Sequence, residues 1–182
     1  RARFHNLVGT ASNIGDAWPT SNAFGHLSDA GNLRDYQFAF IRFVVAPVVN
    51  ITLQRGYLSI TNALKDAQLA AGNIIEVAPG TYNENVRISG ETNITLRAKA
   101  WTLSNVNTNT IITPLAGARA GVIISNASSV DLIGFTIRGG SNGVGIVGVS
   151  ASNVLANNRL VSNDISGVVI SGSSTPANVV WS

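Results

Sequence analysis

Gly121-Val122-Ile123-Ile124 recurs as Gly143-Val144-Gly145-Ile146 and again as Gly167-Val168-Val169-Ile170. The copies start 22 residues apart (143 − 121) and then 24 apart (167 − 143). A period of that size suits one circuit of a three-faced solenoid, in which three short strands are joined by tight turns. An earlier copy without the glycine is Val86-Arg87-Ile88, followed by a longer insertion.

Two further tracks run beside the first. Ile94-Thr95-Leu96 stands six residues after Ile88, as Val130-Asp131-Leu132 stands six after Ile124, with Val154-Leu155-Ala156 as third member. Phe135-Thr136-Ile137 pairs with Asn158-Arg159-Leu160. Strand alternation sends the first and third residue of each triplet inward and the middle one outward. The outward row of the first track is then Arg87, Ile123, Gly145 and Val169, and that of the second Thr95, Asp131 and Leu155. Ser141-Asn142 and Ser162-Asn163 repeat as well and predict stacked asparagines.

These patterns predict an all-β fold: a right-handed parallel β-helix with a short N-terminal capping helix and an N-terminal β-strand extension. Residues 59–182 form the solenoid and residues 1–58 the extension. Ser59 to Ala71 reads as an amphipathic helix with Ile60, Leu64, Ala67 and Ala71 on one face, Ser59 or Thr61 as N-cap and Gly72 as C-cap. It would close the N-terminal end like a lid. Within the extension, Tyr36 to Val45 reads as an apolar strand with Tyr36, Phe38 and Phe40 on one face and Phe43 on the other; Val48 to Arg55 reads as a second. Neither is in register with the repeat, so both are expected to pack elsewhere. At the other end Val179-Val180-Trp181 looks like the start of a further strand, left open unless another copy or another segment covers it.

Composition agrees. Charged residues make up 12% of the 182, about half the share usual in soluble domains, and Asn, Ser, Thr and Gly fill the gap. Cysteine and methionine are absent and the chain starts Arg1-Ala2-Arg3, as in a mature protein that has lost a leader, or in a fragment. Without cysteine there is neither a disulfide framework nor a thiolate metal site. The net charge of +3 comes from basic residues scattered singly, unlike the clustered stripe of a nucleic-acid binder. No transmembrane segment of about 18 apolar residues occurs. Three Asn-x-Ser/Thr sequons begin at Asn50, Asn93 and Asn126.

The stretch from Ile60 to Ser89, and above all Val77-Ala-Pro-Gly-Thr-Tyr82, resembles the N-terminal cap and first circuit of the pectin-lyase-like parallel β-helix superfamily. The resemblance extends over roughly residues 60–181. It implies a fold rather than an activity, since that superfamily includes lyases, hydrolases, tailspikes and adhesins.

Family lyases set several carboxylates on an outward ladder; here Asp131 would stand alone beside Leu155. Family hydrolases use paired acids, and the nine acidic residues include no adjacent aspartate pair. Glu84 and Glu91, the best pair, are read as turn residues. His5 and His26 have no ligand at metal spacing. No catalytic, cofactor-binding or metal residues are therefore assigned, and no cofactor is expected. Trp101, Tyr82 or Trp18 could serve as a glycan-stacking platform. The favoured function is a non-catalytic, secreted structural protein, a self-associating subunit of an extracellular or cell-surface filament, sheath or adhesive fibre. Its expected partners are further copies of itself, with a polysaccharide surface possible and nucleic acid excluded. The expected interface comprises Tyr36, Phe38, Phe40, Phe43, Ile123, Val169, Val179 and Trp181. The alternative is a polysaccharide lyase or glycoside hydrolase, whole or in part, acting on acidic polysaccharide.

Overall fold

The computed structural model describes residues 46–66, 68–99 and 109–172, and the backbone of residues 179–181. The chain divides into two compact units, Arg1–Phe43 and Val44–Ser182, and all described residues belong to the second.

In chain order the elements are β1 (Val48–Asn50), β2 (Arg55–Tyr57), α1 (Ile60–Leu64), β3 (Ile74–Val77), β4 (Gly80–Asn83), β5 (Val86–Ser89), β6 (Thr95–Ala98), β7 (Thr110–Thr113) and β8 (Ala120–Ser125). There follow β9 (Asp131–Ile133), β10 (Thr136–Ile137), β11 (Asn142–Val147), β12 (Val154–Ala156), β13 (Arg159–Leu160), β14 (Ser166–Ser171) and β15 (Val179–Trp181).

From β3 onward the strands are dealt in rotation to three sheets. The first holds β3, β6, β9, β12 and β15, the second β4, β7, β10 and β13, the third β5, β8, β11 and β14. Within each sheet these strands pair in parallel with the strand three places before or after them in the chain, and three consecutive strands, one from each sheet, make up what is termed a circuit. The repeat read from the sequence is the third sheet: Val86, Val122, Val144 and Val168 share one row, and Ile88, Ile124, Ile146 and Ile170 another. β-Branched residues at alternate positions give each strand a stiff apolar side. Those sides meet in one hydrophobic cluster to which all three sheets contribute, with Leu96 and Leu132 from the first, Ile112 and Ile137 from the second and Val122 and Ile146 from the third.

The structure corrects several expectations. Val154-Leu155-Ala156 sits one residue out of the predicted register: Val154 lies beside Asp131 and Leu155 beside Leu132. Leu155 is thus buried, not outward. A one-residue slip reverses every side chain, and here buried Asn153 takes the interior place that follows Val130 in the row. Asn142 and Asn163 do not stack, because Asn142 pairs with Ala120 and Ser166 while Asn163 reaches back to Gly140 and Ile137.

Residues 48–55 do not form a single strand. Asn50 Oδ1 accepts from the Thr52 and Leu53 N–H groups, which turns the chain into a hairpin of β1 and β2. β1 then pairs antiparallel with β3, so the hairpin extends the first sheet rather than packing elsewhere.

The helix expected over Ser59–Ala71 is one short turn, Ile60–Leu64, so an extended capping helix is not seen. Ser59 is its N-cap, but the C-cap is Lys65 rather than Gly72. Asp66 ends it: its Oδ1 accepts from the Gln68 N–H, a local bond that competes with helix continuation. Arg55 and the Tyr57 hydroxyl both bind the same carboxylate. The Tyr57 hydrogen bond, then the Gln68 N–H and Arg55, lower the Asp66 pKa to about 2. A carboxyl whose folded pKa is depressed contributes stability above its unfolded value, and that contribution is lost as pH falls towards about 2. Ile60, Ala63 and Leu64 are buried, and α1 packs against β1, β2 and β5.

The turns follow one pattern. Ser129, Gly134 and Gly139 hold positive φ on one circuit, and Ser152, Asn157 and Ser162 hold it on the next. Each of the latter precedes an asparagine that grips the circuit before it. Asn153 Oδ1 accepts from Val130 N–H at 3.0 Å while its Nδ2 donates to Ala127 O at 3.2 Å. Asn158 does the same with Phe135 and Leu132, and Asn163 with Gly140 and Ile137. The Val130, Phe135 and Gly140 N–H groups at the bends find their acceptors in these side chains.

Candidate functional site

Two surfaces of the third sheet stand out. The first is its outward row of Arg87, Ile123, Gly145 and Val169. Ile123 is half-buried and Val169 is exposed, so two branched apolar side chains flank the bare Gly145. Together with Arg119, Asn142 and Val147 the row lines an open groove of about 280 Å³. Gly145 makes the notch: a Cβ there would meet Ala120 at 3.6 Å and Val169 at 3.8 Å, ordinary contact distances.

The second is the edge where the described circuits end. Ile124 and Ile146 are fully buried, yet Ile170 in the same row is 47% exposed. Val168 and Leu160 are likewise only partly buried beside the core, whereas their row-mates Val144 and Ile137 are fully covered. Among the described strands, β14 ends the third sheet and β13 the second. Among the described residues, no further circuit covers the inward residues here as one covers their equivalents.

The predicted interface therefore splits. Ile123 and Val169 lie in the outward row. Val179 and Trp181 belong to β15, whose backbone pairs with β12. Tyr36, Phe38, Phe40 and Phe43 lie outside the described residues, as do His5, His26, Trp18 and Trp101. Tyr82 is buried with its hydroxyl donating to Ala78 O at 2.8 Å, which removes it as a stacking platform. Ile170 was missed by the sequence reading because its pattern marks it simply as core; what exposes it is its place at the edge.

Of the carboxylates considered for chemistry, Glu84 and Asp131 are engaged in the structure. Glu84 accepts from the Ile60 and Thr61 N–H groups at 3.0 and 2.7 Å, fixing the start of α1. Glu76 pairs with Arg97 at 2.6 Å across adjacent strands of the first sheet. Asp131 accepts from Thr95 Oγ1 at 3.4 Å and has Val154, not Leu155, as its other neighbour. Among the described residues, no three His, Cys, Asp or Glu side chains gather where a metal ion could be held. No described helix is long and apolar enough to cross a membrane.

No family model matches the chain, and no solved structure matches it. Among curated proteins, a cell surface glycoprotein of Methanothermus fervidus is 30% identical over 122 residues, which is 67% of this chain and 18% of that protein. The chain thus spans less than a fifth of the length of that relative, to which it is similar over two thirds of its own.

Proposed function

We propose that the chain is a non-catalytic structural element of a cell surface, built as a right-handed parallel β-helix and associating with other copies through the β13–β14 edge. The rotation of strands among three parallel sheets supports closure into a pectin-lyase-like solenoid, since parallel crossovers are right-handed almost without exception. The printed name of the M. fervidus relative supports the surface location.

The observation that carries the association is Ile170, an inward-facing residue in line with three fully buried isoleucines and left half open. Fully covering an isoleucine contributes about 1.5–3 kcal/mol, so closing over the exposed part of Ile170 contributes roughly half of that. Val168 and Leu160 add to it, and unpaired groups of an edge strand supply hydrogen bonds to an arriving strand. A solenoid circuit gains stability from the neighbours that cover it, and a second copy would supply such a cover.

Ile170→Asp places a charge on the open face where it is still hydrated. Sedimentation velocity is expected to show concentration-dependent oligomers of the native chain and a shift to monomer in the variant, which still unfolds in one cooperative transition. Identical distributions for the two proteins would remove this edge as the association surface.

A further inference from the structure

The three sequons stand in unlike surroundings. Asn50 is fully buried; its Nδ2 donates to Asn73 Oδ1 at 2.7 Å and its Oδ1 holds the hairpin turn. A sugar on that nitrogen has nowhere to go. Asn126 is exposed, but its carboxamide braces the next circuit. Its Oδ1 accepts from Val149 N–H at 3.0 Å, and the group lies so close to Gly148 that a Cβ there would stand 2.3 Å from Oδ1 and 3.5 Å from Nδ2.

Asn93 differs from both. It is exposed on the turn between β5 and β6 at φ 55°, and its backbone is pinned on both sides, with N–H to Ser128 O at 2.9 Å and O from Gly72 N–H at 2.6 Å. Its carboxamide makes no hydrogen bond among the described residues. A Cβ added at Gly72 would lie 4.0 Å from its Nδ2. The main chain is thus held while the side-chain nitrogen faces open space.

We propose that Asn93 is an N-glycosylation site, a modification that deepens the surface reading above and rests on it for export. In the transfer, Asn93 Nδ2 forms a bond to the anomeric carbon of a lipid-phosphate-linked oligosaccharide. The bond from that carbon to the phosphate oxygen breaks, the lipid phosphate leaves with the electron pair, and one amide proton is released; nothing is oxidised or reduced. Thr95 supplies the hydroxyl that the sequon requires. Ile94 is fully buried in the finished fold, so transfer precedes the docking of β6. The completed turn then carries the bulky, hydrated sugar without losing a bond.

The test is the full chain fused to a secretion leader and expressed in a eukaryotic host, with glycopeptide mapping of the secreted, folded product. Asn93 is expected to be the occupied sequon, with Asn50 bare. The glycan should disappear in Asn93→Gly, which keeps the positive φ, and in Thr95→Val, which keeps the strand shape without the hydroxyl. It should remain in Asn126→Gln. Secreted, folded chain that is bare at Asn93, or a glycan persisting in both Asn93→Gly and Thr95→Val, overturns the proposal. Neither result bears on Ile170, so failure here is distinct from failure of the association reading.

Discussion

Gly143→Ala is expected to lower the melting temperature by about 5–10 °C, whereas Gly145→Ala, two residues along the same strand, leaves it within about 2 °C. A Cβ at Gly143 would stand 2.6 Å from the Gly167 carbonyl oxygen on the next circuit, and backbone cannot swing aside as a flexible side chain can. Overpacking of that kind costs about 1–3 kcal/mol, and each kcal/mol shifts the midpoint by about 2–4 °C at this chain length. At Gly145 the added methyl meets its neighbours at ordinary contact distance. There the smaller entropy of the unfolded alanine chain offsets minor crowding. Gly167→Ala is the internal control: among the described residues a Cβ there would meet only Leu160 side-chain atoms, at 3.5 Å. Differential scanning calorimetry of the three variants checks the ranking. Equal losses at Gly143 and Gly145 would contradict the packing of circuits at the Gly-Val corner.

That corner was legible in the sequence because glycine, valine and isoleucine recur together in one short window. The rows of the third sheet followed from it residue for residue, as did Phe135 to Ile137 against Asn158 to Leu160. The first sheet was read less well. Val154-Leu155-Ala156 looks like a normal apolar triplet, and nothing in its letters reveals that polar Asn153 belongs to the buried row. The spacing of Asn153, Asn158 and Asn163 by five residues carried that information. It is a turn period rather than a hydrophobic one, and an eye set to strand alternation passes over it. The hairpin of β1 and β2 was hidden for a similar reason: Asn50 is one polar letter in an apolar run, and its turn-forming bonds belong to local side-chain chemistry. The shortened helix depends on Asp66, whose partners Arg55 and Tyr57 are brought to it by that same hairpin.

Asn153→Ala is expected to cost about 2–4 kcal/mol, or roughly 5–15 °C in melting temperature. Asn153 is fully buried, and its removal leaves the Val130 N–H facing the core without its side-chain acceptor. The Ala127 carbonyl suffers less, since the Ala151 N–H also reaches it. Asn163→Ala should cost less than Asn153→Ala, because Asn163 is half-buried and water can replace the amide. Asn153→Asp adds a sharper test. The carboxylate would still accept from Val130 but would face the Ala127 carbonyl, so burial and repulsion raise its folded pKa. A group with a raised folded pKa loses its stabilising share as pH rises. Asn153→Asp should therefore approach the native chain in stability near pH 4 and fall behind it at pH 7, as thermal melts across that range would record. A pH-independent deficit would show that the side chain acts by shape rather than by its two hydrogen bonds.

The asparagine grip and the glycine corner both bind one circuit to its neighbour, and among the described residues both reach as far as the β13–β14 edge. Amide hydrogen exchange across that edge, measured in dilute and in concentrated protein, tests the central claim most directly. Association through the open face predicts that amides of Ser166–Ser171 and Arg159–Leu160 gain protection as concentration rises, while those of β8 and β11 stay unchanged. Exchange in β13 and β14 that is fast and independent of concentration would contradict it.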